Sequence, residues 1–317
     1  MSIDIEYLLF LQNLRNATGG IFDEYFNAIS KIAVDIMPIL PYLIFWAVSK
    51  KWGYRFLGAL WGGEIINGIL KLTVCAYRPW IRDARIEPAG DSKVAATGYS
   101  FPSGHTMCAT ATYGTTAVWQ YKKRNWLAVL SVILILLTGF SRNFLGVHTP
   151  QDVIVGFIET SFIIFMVGFI RKKISGNEKL ADILTLCGVL AVIATLIYIQ
   201  VKSYPMDYAD GVLLVDPQVM MNDTFKGAGG FLGLMIGSYI ERHYVKYDVP
   251  ENFKHLPLFA CVGTTLIYIW NTWFYGITLK VWFGAHWGGF MSGFLIVVFA
   301  VVLYPLLIMK SARNSDK

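Results

Sequence analysis

The chain has 317 residues, 55% of them hydrophobic and 15% charged, with a mean hydropathy of +0.51. An ordinary soluble domain carries about 25% charged residues, so this composition excludes that class and points to a membrane protein, with room for about eight to nine helices of roughly 20 apolar residues each. The net charge of +6 is spread over short basic clusters between apolar runs, which argues against nucleic acid as a partner and marks those clusters as cytoplasmic loops.

The N-terminal stretch "IDIEYLLFLQNLRN" is too short and too polar to span a bilayer, and lacks the basic n-region and cleavage site of a signal peptide. It reads as a helix lying at the membrane surface, which makes residues 1–30 an interfacial segment. Candidate spans follow near 32–49, 56–77, 104–120, 126–145, 150–170, 181–201, 224–241, 256–276 and 285–309. Basic residues follow every second span: Lys50, Lys51 and Arg55; Lys122, Lys123 and Arg124; Arg171, Lys172 and Lys173; Arg242 and Lys246; and finally Lys310 and Arg313. By the positive-inside rule these ends are cytoplasmic, with the N-terminus outside and the C-terminus inside. Cys75, Cys108, Cys187 and Cys261 lie in or beside apolar runs, without metal-ligand spacing or a disulfide framework.

Three polar clusters then fall on the outer side. In "KLTVCAYRPW", Lys71 sits inside an apolar helix that ends at Arg78 and Pro79. Snorkelling accounts for a lysine in a span, but seven residues are about two helical turns, so both cations share a face. Glu64 and Asn67 continue that face and offer Lys71 a candidate counter-charge. In "YSFPSGHT", Pro102, Ser103, Gly104 and His105 precede an apolar helix, with Ser103 as N-cap and free first-turn amides suited to an anion. In "SRNFLGVHTPQD", Ser141, Arg142, His148 and Asp152 lie between two apolar runs. A polar turn with Thr149 as N-cap and Pro150 as first helical residue accounts for the segment locally. Asp152, four residues after His148, is also placed to hold one imidazole nitrogen and leave the other as base or nucleophile. Together the clusters supply three cations, a helix N-terminus, two histidines and a carboxylate. These are the parts for phosphoryl transfer through a phosphohistidine.

The three clusters resemble the signature motifs of the type 2 phosphatidic acid phosphatase family, which is related to vanadium-dependent haloperoxidases and glucose-6-phosphatase. Lys71, Arg78 and Pro79 match K-x6-R-P; Pro102, Ser103, Gly104 and His105 match P-S-G-H; Ser141, Arg142, His148 and Asp152 match S-R-x5-H-x3-D. All specified positions are present in family order, over roughly residues 50 to 170. The resemblance implies a membrane enzyme that removes phosphate from a lipid phosphate or pyrophosphate with no metal or other cofactor. It implies His148 as nucleophile, Asp152 as its partner and His105 as general acid. Lys71, Arg78, Ser103, Gly104 and Arg142 would form the phosphate cradle, with Pro79, Pro102 and Ser141 in support.

These readings give an all-α polytopic bundle: an interfacial segment (1–30), a catalytic transmembrane core (31–175) and a C-terminal transmembrane extension (176–317). In the extension, Gly229, Gly233 and Gly237, and likewise Gly284 with Gly288, read as helix-packing stripes. Glu241 and Arg242 carry no special role, and His286 reads as structural. The outer loop 81–98 is either a lid or a plain solvated loop. The expected substrate is a lipid phosphate in the bilayer, undecaprenyl pyrophosphate ahead of phosphatidic acid and phosphatidylglycerol phosphate, hydrolysed at the outer face of the cytoplasmic membrane. Alternatives are a lipid phosphotransferase using the same phosphohistidine, an inactive transporter or scaffold, and a metal site built from His105, His148 and Asp152. Three cations disfavour the last, because they repel a divalent ion.

Overall fold

The computed structural model describes residues 2–96, 98–250 and 252–315. The chain is 79% helical, an all-α membrane architecture. Among the described residues, five helices are long and apolar enough to cross a bilayer: Asp23–Ala47, Asn125–Phe144, Pro150–Ile174, Glu178–Val201 and Lys280–Asn314. The remaining candidate spans also fall on helices. These are Lys50–Val74, residues 104–120, Pro217–Ile240 and residues 256–279. Charge or threonine content sets some of them apart from the five: Lys50–Val74 carries Lys50, Lys51, Arg55, Glu64 and Lys71. On Pro150–Ile174, Ile154, Ile158, Phe162 and Phe165 are each more than half exposed, an apolar face that lipid, not water, must cover. The only strands among the described residues are Tyr208–Ala209 and Val212–Leu213, an antiparallel pair closed by Asp210 and Gly211. Both turn residues have positive φ, as a two-residue hairpin requires.

The chain divides into two compact units. The first comprises Met1–Pro38, Ile66–Ile163 and Lys202–Met221. Here the N-terminal helix Ile3–Ala17 is tied to the loop at 81–98. Its Arg15 donates to the carbonyls of Glu87 and Phe144, Gln12 bonds the backbone of Arg85 and Glu87, and Asp4 pairs with Arg82 at 2.8 Å. The loop is therefore strapped down at Arg82, Arg85 and Glu87, and Ala89 N adds a bond to Leu145 O. That favours a fixed cover over a free lid. Apolar clusters sit beneath: Ile5, Leu8 and Ile86, and beside them Ala89, Ala96, Leu145 and Val147.

The first unit also contains a close helix approach. A Cβ on Gly156 would lie 2.8 Å from Ser103 O, so only glycine lets the helix at 150 pass this near the turn that opens the helix at 104.

The second unit comprises Ile39–Ile65, Ile164–Val201 and Asn222–Lys317. Its core is aromatic, built on Phe45, Trp46, Tyr54, Tyr247 and Tyr304. Gly229 and Gly233 do pack as expected, against the backbone of Phe290 and Phe294. Gly284 does not: it has φ +74 and nothing within 4 Å of a Cβ, so it marks a kink. His286 stacks on Phe225 with ring centroids 5.0 Å apart, a structural contact. Glu241 departs from its expected role as a plain helix-end charge. It is fully buried and accepts from Tyr54 Oη at 2.9 Å, Tyr247 N at 2.8 Å and Lys50 Nζ at 2.7 Å.

Gly156→Ala should destabilise the protein by about 1–3 kcal/mol, the usual cost of overpacking. Gly168→Ala on the same helix, where a Cβ meets nothing within 4 Å, should be neutral or stabilising. Thermal unfolding of the two variants in the same detergent checks this contrast.

Candidate active site

The helix Asn125–Phe144 ends in a Schellman turn. Gly146 takes φ +74, Gly146 N donates to Asn143 O, and Val147 N returns to Arg142 O. This reversal brings His148 back over the helix end, where its backbone N–H reaches Arg142 O and Asn143 Nδ2 holds its carbonyl at 2.9 Å. Two residues later the next helix begins at Pro150. Its start is a capping box: Thr149 N donates to Asp152 Oδ2 at 2.8 Å, and Asp152 N reaches Thr149 Oγ1 at 3.5 Å. The expected capping role of Asp152 is thus present, and it coexists with a second one.

The same Oδ2 lies 3.3 Å from His148 Nδ1 and accepts from Ser100 Oγ at 2.5 Å. On the far side of the ring, Arg78 Nη1 lies 2.9 Å from His148 Nε2. A guanidinium only donates, so Nε2 carries the lone pair and Nδ1 the proton that faces Asp152. This network fixes one neutral tautomer. Burial, then the Arg78 charge, holds the His148 imidazole well below its ordinary range, against the opposing pull of Asp152.

Arg78 is itself buried and is positioned by the carbonyls of Gly98 at 3.1 Å and Val147 at 3.0 Å. Lys71 donates to the carbonyls of Pro102 and Ser100. Asn67, one turn before it, donates to Glu159 Oε1 at 2.6 Å, which puts a half-buried carboxylate within electrostatic reach of Lys71. Sequence spacing gave no sign of Glu159, which comes from another helix.

Ser103 is the N-cap expected of it: Oγ accepts from Thr106 N, and its own N–H donates to Asp152 O at 2.9 Å. That last bond ties the two helix starts together. Gly104 leaves its side open, with a Cβ meeting only Asn67 Oδ1 at 3.7 Å. His105 is half-buried and within electrostatic reach of Arg142, His148, Arg78 and Lys71. Arg142, 2% exposed, donates through Nη1 to Ser30 Oγ at 2.6 Å, while its buried Nε has no acceptor among the described residues. An unmet guanidinium donor beside two further cations is a ready place for an oxyanion.

The structure therefore brings His105, His148, Asp152, Lys71, Arg78, Ser103, Gly104 and Arg142 into one region of the first unit. Ser141 stands apart, because its hydroxyl donates to Thr138 O in its own helix. Pro79 and Pro102 shape the backbone at the helix ends. Ser30, Ser100 and Asn143 were not found by sequence reasoning: each is an ordinary polar residue whose part depends on a partner brought in by folding.

Residues 52–175 match the family model of the PAP2 superfamily. The chain is 26% identical to an undecaprenyl-diphosphatase of Sulfolobus acidocaldarius over 130 residues, which is 41% of this chain and 60% of that protein. It is 30% identical to phosphatidylglycerophosphatase B of Bacillus subtilis over 132 residues, 38% of this chain and 64% of the relative. With lipid phosphate phosphatase delta of Arabidopsis thaliana it shares 23% identity over 182 residues, covering 54% and 42% of the two chains. The chain thus spans less than two thirds of the length of the first relatives it matches. No solved structure is detectably similar. The geometry and the family match fall on the same residues: the three motifs, from Lys71 to Asp152, all lie within the stretch 52–175 that matches the PAP2 superfamily model.

Proposed function

We propose that this protein is a membrane lipid phosphatase that hydrolyses a lipid phosphomonoester or pyrophosphate through a phosphohistidine, without a metal. The observation that carries this reading is the alignment Arg78–His148–Asp152, which holds a buried, neutral imidazole with its lone pair turned toward cations. Such a ring is a nucleophile that an incoming phosphate uncovers. A phosphoryl oxygen accepts from a guanidinium more strongly than imidazole does, so substrate draws Arg78 off Nε2 and frees the lone pair.

The steps balance as follows. His148 Nε2 attacks phosphorus, the bond to the lipid oxygen breaks, and His105 gives that oxygen a proton. The ring becomes a phosphorylated imidazolium, whose Nδ1–H remains on the Asp152 carboxylate. Water then attacks phosphorus, His105 takes its proton, and the N–P bond breaks to restore the neutral ring. Lys71, Arg78, Arg142 and the amides after Ser103 share the charge on the equatorial oxygens.

Among substrates we place undecaprenyl pyrophosphate first, then phosphatidylglycerol phosphate and phosphatidic acid. Relatives bearing names for the first two support the order. The clustering of basic residues at alternate helix ends supports an active site on the outer face of the cytoplasmic membrane, with the C-terminus inside. In this reading 31–175 is the catalytic core, behind an interfacial segment at 1–30, and 176–317 is an extension to it.

Phosphate release by the purified chain in excess chelator, with the three lipids compared, tests the reading. Turnover should persist in chelator and vanish in His148→Ala, while retained release in that variant would remove His148 as nucleophile. Arg142→Lys should lose roughly 100-fold in kcat/KM, since a point charge cannot replace a planar donor set; near-normal turnover would take Arg142 out of the cradle. The neutral ring is the active form, so activity falls as pH drops through the His148 pKa. The acid limb of kcat/KM should therefore lie well below about 6.5 in the parent. Removing the neighbouring charge in Arg78→Gln favours the protonated ring, so the limb of its residual activity should move up in pH. An unmoved limb would mean that Arg78 does not set the ring's protonation.

A further inference from the structure

The second unit contains a cavity of about 1020 Å³ at the ends of its helices, unrelated to any of the motif residues. Its wall includes Lys50, Lys51, Arg55, Arg171, Lys172 and Arg242, with Glu178 and Asp248 as the lining acids. Lys50 is neutralised by buried Glu241 at 2.7 Å and Arg242 by Asp182 at 2.9 Å. That leaves Lys51, Arg55, Arg171 and Lys172 against two carboxylates, an excess of two positive charges. None of these four has a carboxylate within 4 Å among the described residues.

Charges that serve only to orient a chain in a membrane need no cavity and no burial. Here the two arginines among these four are held by aromatic faces: Arg55 lies over Trp52 at 4.5 Å and Arg171 over Tyr54 at 4.3 Å. Stacking occupies the plane of a guanidinium and leaves its donor edge for an acceptor. Arg55 Nε and Arg242 Nε are buried with no hydrogen-bond partner among the described residues. Buried donors in native proteins are nearly always paired, and both of these belong to side chains that line the cavity.

We propose that this cavity is a second anion site, which takes a phosphate group through the Arg55 and Arg171 guanidinium edges with Lys51 and Lys172 at its mouth. The excess of two positive charges matches a phosphate dianion. Two helices long and apolar enough to cross a bilayer meet its wall, one ending at Ile174 and the next beginning at Glu178, where phospholipid headgroups lie. The source is thus an acidic lipid headgroup or a free phosphate. The proposal rests on the second unit alone and does not depend on the phosphatase reading.

Native mass spectrometry of the full chain in detergent tests it, with phosphatidylglycerol, phosphatidylcholine and inorganic phosphate as probes. Arg55→Gln/Arg171→Gln is compared with the parent, so any binding at the PAP2 motifs is common to both. Loss of two charge-assisted hydrogen bonds should weaken retention of the anionic probe by at least about tenfold. A loss seen with phosphatidylglycerol alone assigns a headgroup; one seen with inorganic phosphate alone assigns a soluble anion. Lys51→Gln/Lys172→Gln changes two exposed residues and should weaken retention without touching the packed wall, which covers the case that the arginine variant fails to fold. Equal retention of the two anionic probes by parent and folded variants, or a loss as large for phosphatidylcholine, would overturn the proposal.

Discussion

Everything in the candidate site depends on one carboxylate. Asp152 Oδ2 closes the first turn of the Pro150 helix, orients the His148 ring and receives the Ser100 hydroxyl, while the Asp152 carbonyl takes the N–H of Ser103. A capping group is normally satisfied by the backbone alone. Here it is shared between helix start and imidazole, so the ring inherits the rigidity of two helix termini. Gly156 completes the arrangement one turn later, since a side chain there would push the Ser103 turn away.

The electrostatic design is one of deliberate imbalance. Arg78 and Arg142 are almost wholly buried; Arg78 donates to two carbonyls and faces His148 Nε2, and Arg142 donates to the Ser30 hydroxyl. Burying a cation is costly. A phosphate that enters such a region regains much of that cost, because Coulomb attraction is strong where water is scarce. Asp152 is committed to the ring and the helix cap, and its charge also acts on Arg78. The basic cavity of the second unit repeats this logic with stacked arginines in place of carbonyl-held ones.

The motif residues were legible because polar groups in an apolar chain are expensive and stand out. Lys71, Arg78, His105, Arg142, His148 and Asp152 could be named from "KLTVCAYRPW", "PSGHT" and "SRNFLGVHTPQD" before any fold was known. Ser30, Ser100 and Asn143 could not: a serine or asparagine near a helix end is ordinary, and its use is set by what folding brings to it. Glu241 was misread for the same reason, since its partner Lys50 is far away in sequence and a glutamate before an arginine looks like a solvated helix end. Gly284 followed a packing pattern that the backbone breaks with a positive φ. The strapping of loop 81–98 by Arg15 and Gln12 was equally hidden, because it joins a surface helix to a loop through backbone carbonyls that no sequence pattern marks.

The most direct test of the account is to trap the protein during incubation with a radiolabelled lipid phosphate, quench under alkaline conditions that preserve phosphoramidates, and map the label by peptide mass spectrometry. The account predicts an acid-labile phosphate on His148 at Nε2, the nitrogen facing Arg78, and no label in Asp152→Asn, where the ring loses its fixed tautomer. Steady turnover with no phosphoenzyme, or label on any other residue, would contradict it.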